Sequence, residues 1–129
     1  EISHVKPTTV SLALIMEDPD VPPAIKPDGM FDHFVLFNIP PSTTTIIETN
    51  DPSKYPGVVG KNGAGQNQYT GPCPPKEYEP SEHRYYFKLF ALGTMLSLQA
   101  GATKAEVLAA MESHVLEKTE LMGRFRKAT

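Results

Sequence analysis

The amino-acid sequence predicts a mainly β domain with one short helix, an α+β fold. Three apolar stretches of strand length, a single capping-box motif and a high proline content support this prediction. The chain has 13 prolines in 129 residues, which is about twice the usual share of roughly 5 %. Because each proline removes a backbone donor and fixes φ, this content disfavours an all-helical protein and favours short strands joined by stiff turns.

The first predicted strand covers residues 8–16, which read TTVSLALIM. Its even-numbered apolar residues fall on one face of a strand and its odd-numbered apolar residues fall on the other. Since both faces are apolar, the pattern is typical of a strand that is buried on both sides. The strand ends at a proline-rich turn, Asp18-Pro19-Asp20-Val21-Pro22-Pro23, where ladder bonding cannot continue.

Two further strands are predicted from aromatic and branched residues. They cover residues 33–39 (HFVLFNI) and 83–92 (HRYYFKLFAL). Between them, residues 41–75 show little periodicity and contain several glycines, asparagines and prolines, so we expect a long loop there. A structureless stretch of this length is uncommon in a small domain and often has a function, although a surface insertion would look the same.

The C-terminal part predicts the helix and a last strand. Thr103 and Glu106 have the spacing of a capping box, in which the two side chains satisfy backbone donors at a helix N-terminus. We expect the helix to end between His114 and Glu117. Residues 120–126 then alternate in the manner of a strand.

Composition and charge exclude several classes of function. The length fits a single domain, residues 1–129, and the formal net charge of −3 comes without a long basic run, which disfavours nucleic-acid binding. No apolar run approaches the roughly 20 residues that a membrane span needs. Cys73 is the only cysteine, which excludes an internal disulfide and fits a cytoplasmic protein. No cofactor motif is present, and we expect no cofactor.

Polar residues lie where the apolar strands begin or end. Asp18 and Asp20 follow the first strand, His33 opens the second, and His83 and Tyr85 open the third on one face. If these strands are neighbours in the sheet, the groups could meet at one edge. Imidazole and phenol donors backed by carboxylates would suit a phosphate or carboxylate ligand.

Other interpretations of these residues remain open. An Asp-Pro-Asp sequence also forms ordinary turns, because Asp side chains bond their own backbone. His33, His83 and an aspartate could bind zinc, although the close ligand pairs typical of zinc sites are missing. Cys73, between two prolines, could be a nucleophile or simply a packed thiol in a rigid turn.

Four separated motifs resemble those of the phosphatidylethanolamine-binding protein family, in its prokaryotic Raf-kinase-inhibitor-like branch. In chain order they are Asp18-Pro19-Asp20-Val21-Pro22, the strand from His33-Phe34-Val35 to Asn38-Ile39-Pro40, Gly71-Pro72-Cys73-Pro74-Pro75, and His83-Arg84-Tyr85. The likeness covers nearly the whole chain. It departs at Phe31, where many relatives have Trp, and at residues 76–82, where three glutamates stand near the presumed mouth of the site.

The resemblance implies a central antiparallel sheet with a second small sheet and peripheral helices. It also implies an anion pocket at one end of the sheet. Matched motif by motif, the ligand-binding residues would be Asp18, Asp20, Pro22, His33, Pro74, Pro75, His83 and Tyr85. Family members bind phosphate, acetate or phospholipid head groups, and some inhibit kinases or proteases.

The function expected from this resemblance is non-catalytic binding of a small anion or a phospholipid head group, with regulation of a partner kinase or protease. Two alternatives are a hydrolase with His33 or His83 as general base, and a protease inhibitor acting through an exposed loop at residues 50–68. By the resemblance, Glu1 falls partway into the family domain, and we expect the family's first strands to be missing from this chain. We therefore expect a separate N-terminal fragment or a homodimer to cover the first strand, which could otherwise form an unpaired edge.

Overall fold

The computed structural model describes residues 2, 5–20, 30–44, 46, 54–63, 65–67 and 82–126, without the side chains of 82, 83 and 124–126. Its elements are five strands and one helix. They are β1 (Ser11–Asp18), β2 (Phe31–Ile39), β3 (Val58–Val59), β4 (Glu82–Leu92), α1 (Lys104–Met111) and β5 (Val115–Arg126). The mainly β fold predicted from the sequence is confirmed. The described residues form one sheet, and they do not test the second small sheet that the resemblance implies.

All five strands join one antiparallel sheet in the order β3-β2-β1-β4-β5. The first strand does not form an unpaired edge, because β1 lies in the middle and bonds to β2 and β4. Its covering by a separate N-terminal fragment or a homodimer stays a prediction. The central position explains why β1 is apolar on both faces. Both of its ladders are satisfied, and each face packs into a separate cluster of buried side chains.

The two faces of the sheet are covered differently. On one, which we call the helix face, Ala13 and Ile15 of β1 pack with Val107 and Met111 of α1. On the other, which we call the opposite face, the even-numbered residues of β1 pack with side chains from β2 and β4. That cluster contains Leu12, Met16, Phe34, Leu36, Ile39, Tyr55, Val59, Tyr85 and Ala91. The alternation read from the sequence of β1 is thus confirmed.

The helix is shorter and the last strand longer than predicted. Thr103 and Glu106 do form the capping box, but α1 ends at Met111 instead of between His114 and Glu117. Ser113 has a φ of 66°, a left-handed conformation that stops the helix and reverses the chain. His114 then donates to the Met111 carbonyl, and β5 begins at Val115, five residues before the predicted start.

The long predicted loop is partly ordered against the sheet. β3 lies within it and pairs with Leu36 and Phe37 of β2, which the sequence did not indicate. Tyr55, Val59 and Asn62 are buried. Lys54, Lys61 and residues 65–67 of the same stretch are exposed, so the inhibitory loop considered above stays a prediction. Among the described residues, no helix is long and apolar enough to cross a membrane.

Candidate functional site

The site begins at the turn that follows β1. Asp18 is the last residue of β1, and its side chain is buried. One of its carboxylate oxygens, Oδ1, accepts a hydrogen bond of 2.8 Å from the backbone N–H of Asp20. This is the local bond that Asp-x-Asp turns favour. It reverses the chain directly beyond the sheet and leaves the Asp18 carboxylate at the end of the central strand.

Asp20 is held by Arg84, a residue to which sequence reasoning had assigned no role. Arg84 Nε donates to Asp20 Oδ2 at 2.9 Å, Arg84 Nη2 donates to Oδ1 at 2.8 Å, and the backbone N–H of Arg84 donates to Oδ2 at 2.8 Å. Such a two-pronged pair is geometrically specific. The hydrogen bonds that Arg84 donates to Asp20, together with the charge of that carboxylate, raise the pKa of Arg84 above its ordinary value, so the guanidinium stays charged. The turn is thereby tied to β4.

A β-bulge in β2 determines where His33 lies. Met16 pairs with Phe34 and the next residue, Glu17, pairs with Asp32, so His33 is the extra residue on β2. In a regular strand His33 would alternate onto the same face as Val35, which is the helix face. The bulge instead turns it toward the opposite face, because such an insertion re-aims a side chain.

The His33 ring contacts rings from two strands. Its centroid lies 4.8 Å from that of Phe31 and 5.2 Å from that of Tyr85, both in edge-to-face geometry. His33 is 5 % exposed and Tyr85 is 3 % exposed, so both rings are held in fixed positions. A buried imidazole and a buried phenol from β2 and β4 thus meet across the end of β1.

Asp18 lies at the same end of the sheet. It pairs with Phe31, whose ring touches His33, and the preceding residue, Glu17, pairs with Tyr86 next to Tyr85. The structure therefore places Asp18, His33 and Tyr85 at one end of three adjacent strands, although they are far apart in sequence. We call these three residues the strand-end cluster.

Of the remaining predicted site residues, the structure describes Asp20 fully and His83 by its backbone alone. Asp20 lies beside the strand-end cluster, bonded to Asp18 and Arg84. The backbone of His83 lies in β4, paired with Phe125, and its side chain lies outside the described part of the structure. Pro22, Pro74, Pro75 and Cys73 also fall outside the described residues. Among the residues that are described, no group of three His, Cys, Asp or Glu side chains could hold a metal ion.

On the helix face, behind the strand-end cluster, lies a network of four charged residues. Lys104 Nζ contacts Glu17 Oε2 at 3.0 Å and Asp32 Oδ1 at 2.8 Å, and Lys88 also pairs with Glu17. We call Glu17, Asp32, Lys88 and Lys104 the charge network. Sequence reasoning missed it, although Glu17 and Lys88 are visible there as charges that interrupt apolar strands.

Burial and neighbouring charges shift the pKa values of Glu17 and Lys104 in opposite directions. Burial alone raises the pKa of Glu17, but the hydrogen bonds and charges of Lys88 and Lys104 outweigh it, and the pKa is lowered from its ordinary value. Burial alone lowers the pKa of Lys104, and its bonds to Asp32 and Glu17 outweigh that effect and raise it. Both groups are therefore charged at neutral pH.

The strand-end cluster combines groups that can bind an anion. An imidazole and a phenol can both donate hydrogen bonds to an anion. Burial strengthens such bonds because the local dielectric is low. The same groups could also serve as general acid or base.

Comparison with known proteins gives the family. The family model "Phosphatidylethanolamine-binding protein" matches residues 1–126. UPF0098 proteins are similar in sequence: that of Chlamydia trachomatis is 40 % identical over 125 residues, covering 97 % of this chain and 79 % of the relative. That of Methanothermobacter thermautotrophicus is 45 % identical over 120 residues, covering 91 % and 74 %.

Two crystal structures have the same fold. CT736 from Chlamydia trachomatis, described as a phosphatidylethanolamine-binding protein homologue, superposes with a TM-score of 0.88 at 40 % identity and covers 98 % of this chain and 78 % of its own. Escherichia coli YbcL, described as a member of the mammalian family, gives a TM-score of 0.81 at 26 % identity, with 96 % and 76 % covered. The resemblance seen in the motifs is confirmed, and the chain belongs to the phosphatidylethanolamine-binding protein family.

Proposed function

We propose that this protein is a non-catalytic binding module for a small anion, held at the strand-end cluster. The ligand would be a phosphate, a carboxylate or a phospholipid head group. The observation that carries this proposal is the meeting of His33 and Tyr85 at a ring distance of 5.2 Å beside the end of β1. Family membership supports ligand binding in general and adds weight to this choice.

The β-bulge at His33 favours a binding role over a purely structural one. An imidazole that only filled the core could follow the regular alternation of β2. Here the regular pairing of β2 with β1 is interrupted at His33, and the ring of His33 contacts Tyr85 on the opposite face. Bulges of this kind occur often beside functional sites because they re-aim one side chain.

The proposal also includes site residues whose side chains the structure does not describe. We expect His83, two residues before Tyr85 on β4, to add a second imidazole on the same face. Pro22, Pro74 and Pro75 would form the walls and rim, as the motif match implies. Through the bound anion the protein would regulate a partner kinase or protease.

Phosphate binding, followed by isothermal titration calorimetry, tests the proposal with a matched pair of variants. Tyr85→Phe removes the phenol from the strand-end cluster. Tyr86→Phe makes the same chemical change on the next residue, whose hydroxyl accepts from Arg84 Nη1 at 3.3 Å. We expect Tyr85→Phe to weaken binding about threefold to tenfold, the value of one hydrogen bond, and Tyr86→Phe to leave it unchanged.

The pH dependence and a substrate assay complete the test. A charge-assisted bond is worth roughly 1.5–3 kcal/mol, so His83→Ala should weaken phosphate binding about tenfold or more. Binding should fade as the pH rises through the imidazole range near ~6.5. Equal affinities for wild type, Tyr85→Phe and His83→Ala would refute the proposal. Turnover of p-nitrophenyl phosphate or p-nitrophenyl acetate that is lost in His83→Ala would favour the hydrolase instead.

A further inference from the structure

The charge network lies directly behind the strand-end cluster, on the other side of the sheet. Glu17 precedes Asp18 in β1, and Asp32 precedes His33 in β2. Two residues of the cluster therefore have chain neighbours in the network. A shift of the backbone at Glu17 or Asp32 also moves the backbone of Asp18 or His33, because adjacent residues share a peptide plane.

Glu17 and Asp32 also face each other across the two strands. They are backbone partners at the bulge, so two carboxylates stand opposite one another on the helix face. Like charges directly opposite in a sheet are destabilising. Without a cation between them, the two strands would tend to separate or shift their pairing at the position that places His33.

Lys104 supplies that cation to both strands at once. Its Nζ lies 3.0 Å from Glu17 Oε2 and 2.8 Å from Asp32 Oδ1. Its side chain is 20 % exposed, so water screens the two ion pairs only in part. Lys88 differs, because among the described acidic residues it pairs with Glu17 and not with Asp32.

The start of α1 keeps Lys104 in place. Lys104 is the first residue of the helix and follows the N-cap residue, Thr103. Thr103 Oγ1 accepts from the Glu106 backbone at 3.2 Å, and the Glu106 carboxylate accepts from the Thr103 backbone at 2.8 Å. Val107, one turn onward, is fully buried against the sheet. The capping box and the buried Val107 therefore fix the backbone position from which the Lys104 side chain extends.

We propose that Lys104 is a positioning residue for the anion site: by bridging Glu17 and Asp32 on the helix face, it stabilises the bulge that presents His33 beside Asp18 and Tyr85 on the opposite face. This inference rests on the function proposed above. It assigns to helix α1 a part in ligand affinity although the helix lies on the far side of the sheet from the site.

Three variants test this role by phosphate titration. Lys104→Met removes the charge and keeps an apolar chain, and we expect it to weaken phosphate binding on the order of tenfold, as loss of a supporting outer residue does at metal sites. Lys104→Arg keeps a cation that can bridge both carboxylates and should restore affinity to within about threefold of wild type. Lys88→Met, the matched control, leaves the bridge in place and should bind like wild type.

A second readout separates this inference from the proposed function. The imidazole resonances of His33 in NMR spectra report its surroundings whether or not phosphate binds. We expect them to shift in Lys104→Met and to stay near the wild-type positions in Lys104→Arg and Lys88→Met. If wild type fails to bind phosphate but this pattern holds, the proposed function falls and the positioning role stands.

The opposite results overturn the positioning role. These are a Lys104→Met protein whose His33 resonances and phosphate affinity match those of wild type, or equal effects of Lys104→Met and Lys88→Met. If Lys104→Met does not fold, Lys104→Gln is the milder variant, since it removes the charge and keeps a polar side chain that can donate to one carboxylate. It should move the His33 resonances in the same direction, and unchanged resonances would refute the role.

Discussion

Glu17→Gln should destabilise the protein strongly at neutral pH. The Glu17 side chain is 6 % exposed and pairs with two lysines, whose side chains are 27 % and 20 % exposed. Removing one partner of a buried ion pair costs about 3–5 kcal/mol, because the other charge stays buried without its partner. Lys104 keeps Asp32, and Lys88 can reach water, so we expect the low end of that range, about 3 kcal/mol.

Thermal unfolding followed by circular dichroism measures this loss. For a domain of this size, about 3 kcal/mol corresponds to a fall in Tm of roughly 10 °C. Glu120→Gln is the matched control, since Glu120 pairs with Lys118 at 3.7 Å and both side chains are more than two-fifths exposed. An exposed pair of that kind is worth about 0–1 kcal/mol, so its loss should shift Tm by a few degrees at most.

The pH dependence of the same difference has a definite sign. Folding lowers the pKa of Glu17 from its ordinary value of 4.5. The charged carboxylate therefore stabilises the fold fully at pH values above the pKa of Glu17 in the unfolded chain. This stabilisation is lost as the pH falls through the folded-state pKa. The wild-type advantage over Glu17→Gln should therefore be full at pH 7 and shrink below about pH 4.5.

Two results would contradict this reasoning. One is a Glu17→Gln protein that unfolds at the same temperature as Glu120→Gln at pH 7. The other is a wild-type advantage that persists unchanged at pH 2–3, where a carboxylate effect should be gone. Either would mean that the charge network contributes little beyond packing.

Two further predictions concern the elements that surround the site. Thr103→Ala should lower the free energy of unfolding in urea by about 1 kcal/mol, because the capping bond to the Glu106 N–H is lost, while Thr103→Ser should retain most of it. Gly60→Ala should lower Tm, because a Cβ there would lie 2.5 Å from the Ala102 carbonyl oxygen, and such overpacking costs about 1–3 kcal/mol. Gly123→Ala, where a Cβ meets no atom within 4 Å, is its control, and an equal effect of the two alanines would refute the steric argument.

Local features of the sequence were enough to predict five of the six described elements, all except β3. The double-sided apolar pattern of β1 predicts a strand buried on both faces, and the structure buries it between β2 and β4. Thr103 and Glu106 predict the start of α1, and the capping box forms. Such signals are reliable because they depend on residues a few positions apart, whose geometry follows from the helix or strand itself.

Element ends were less predictable. The helix pattern continues past Met111, yet the left-handed conformation at Ser113 stops it, and β5 starts early because it extends along β4. The two-residue strand β3 has no periodicity of its own and forms because Leu36 and Phe37 of β2 offer a free ladder. Tertiary pairing overrode weak local preferences in each case.

The sequence by itself determined the fold class, the family motifs and the candidate site residues at the strand ends. Only the tertiary structure decided which face His33 occupies, since a bulge depends on the register of β1 against β2. It alone decided that Arg84 binds Asp20, 64 positions away, and that Lys104 reaches Glu17, 87 positions away. Local periodicity encodes burial and alternation, whereas partners so far apart in the chain meet only through strand order and register.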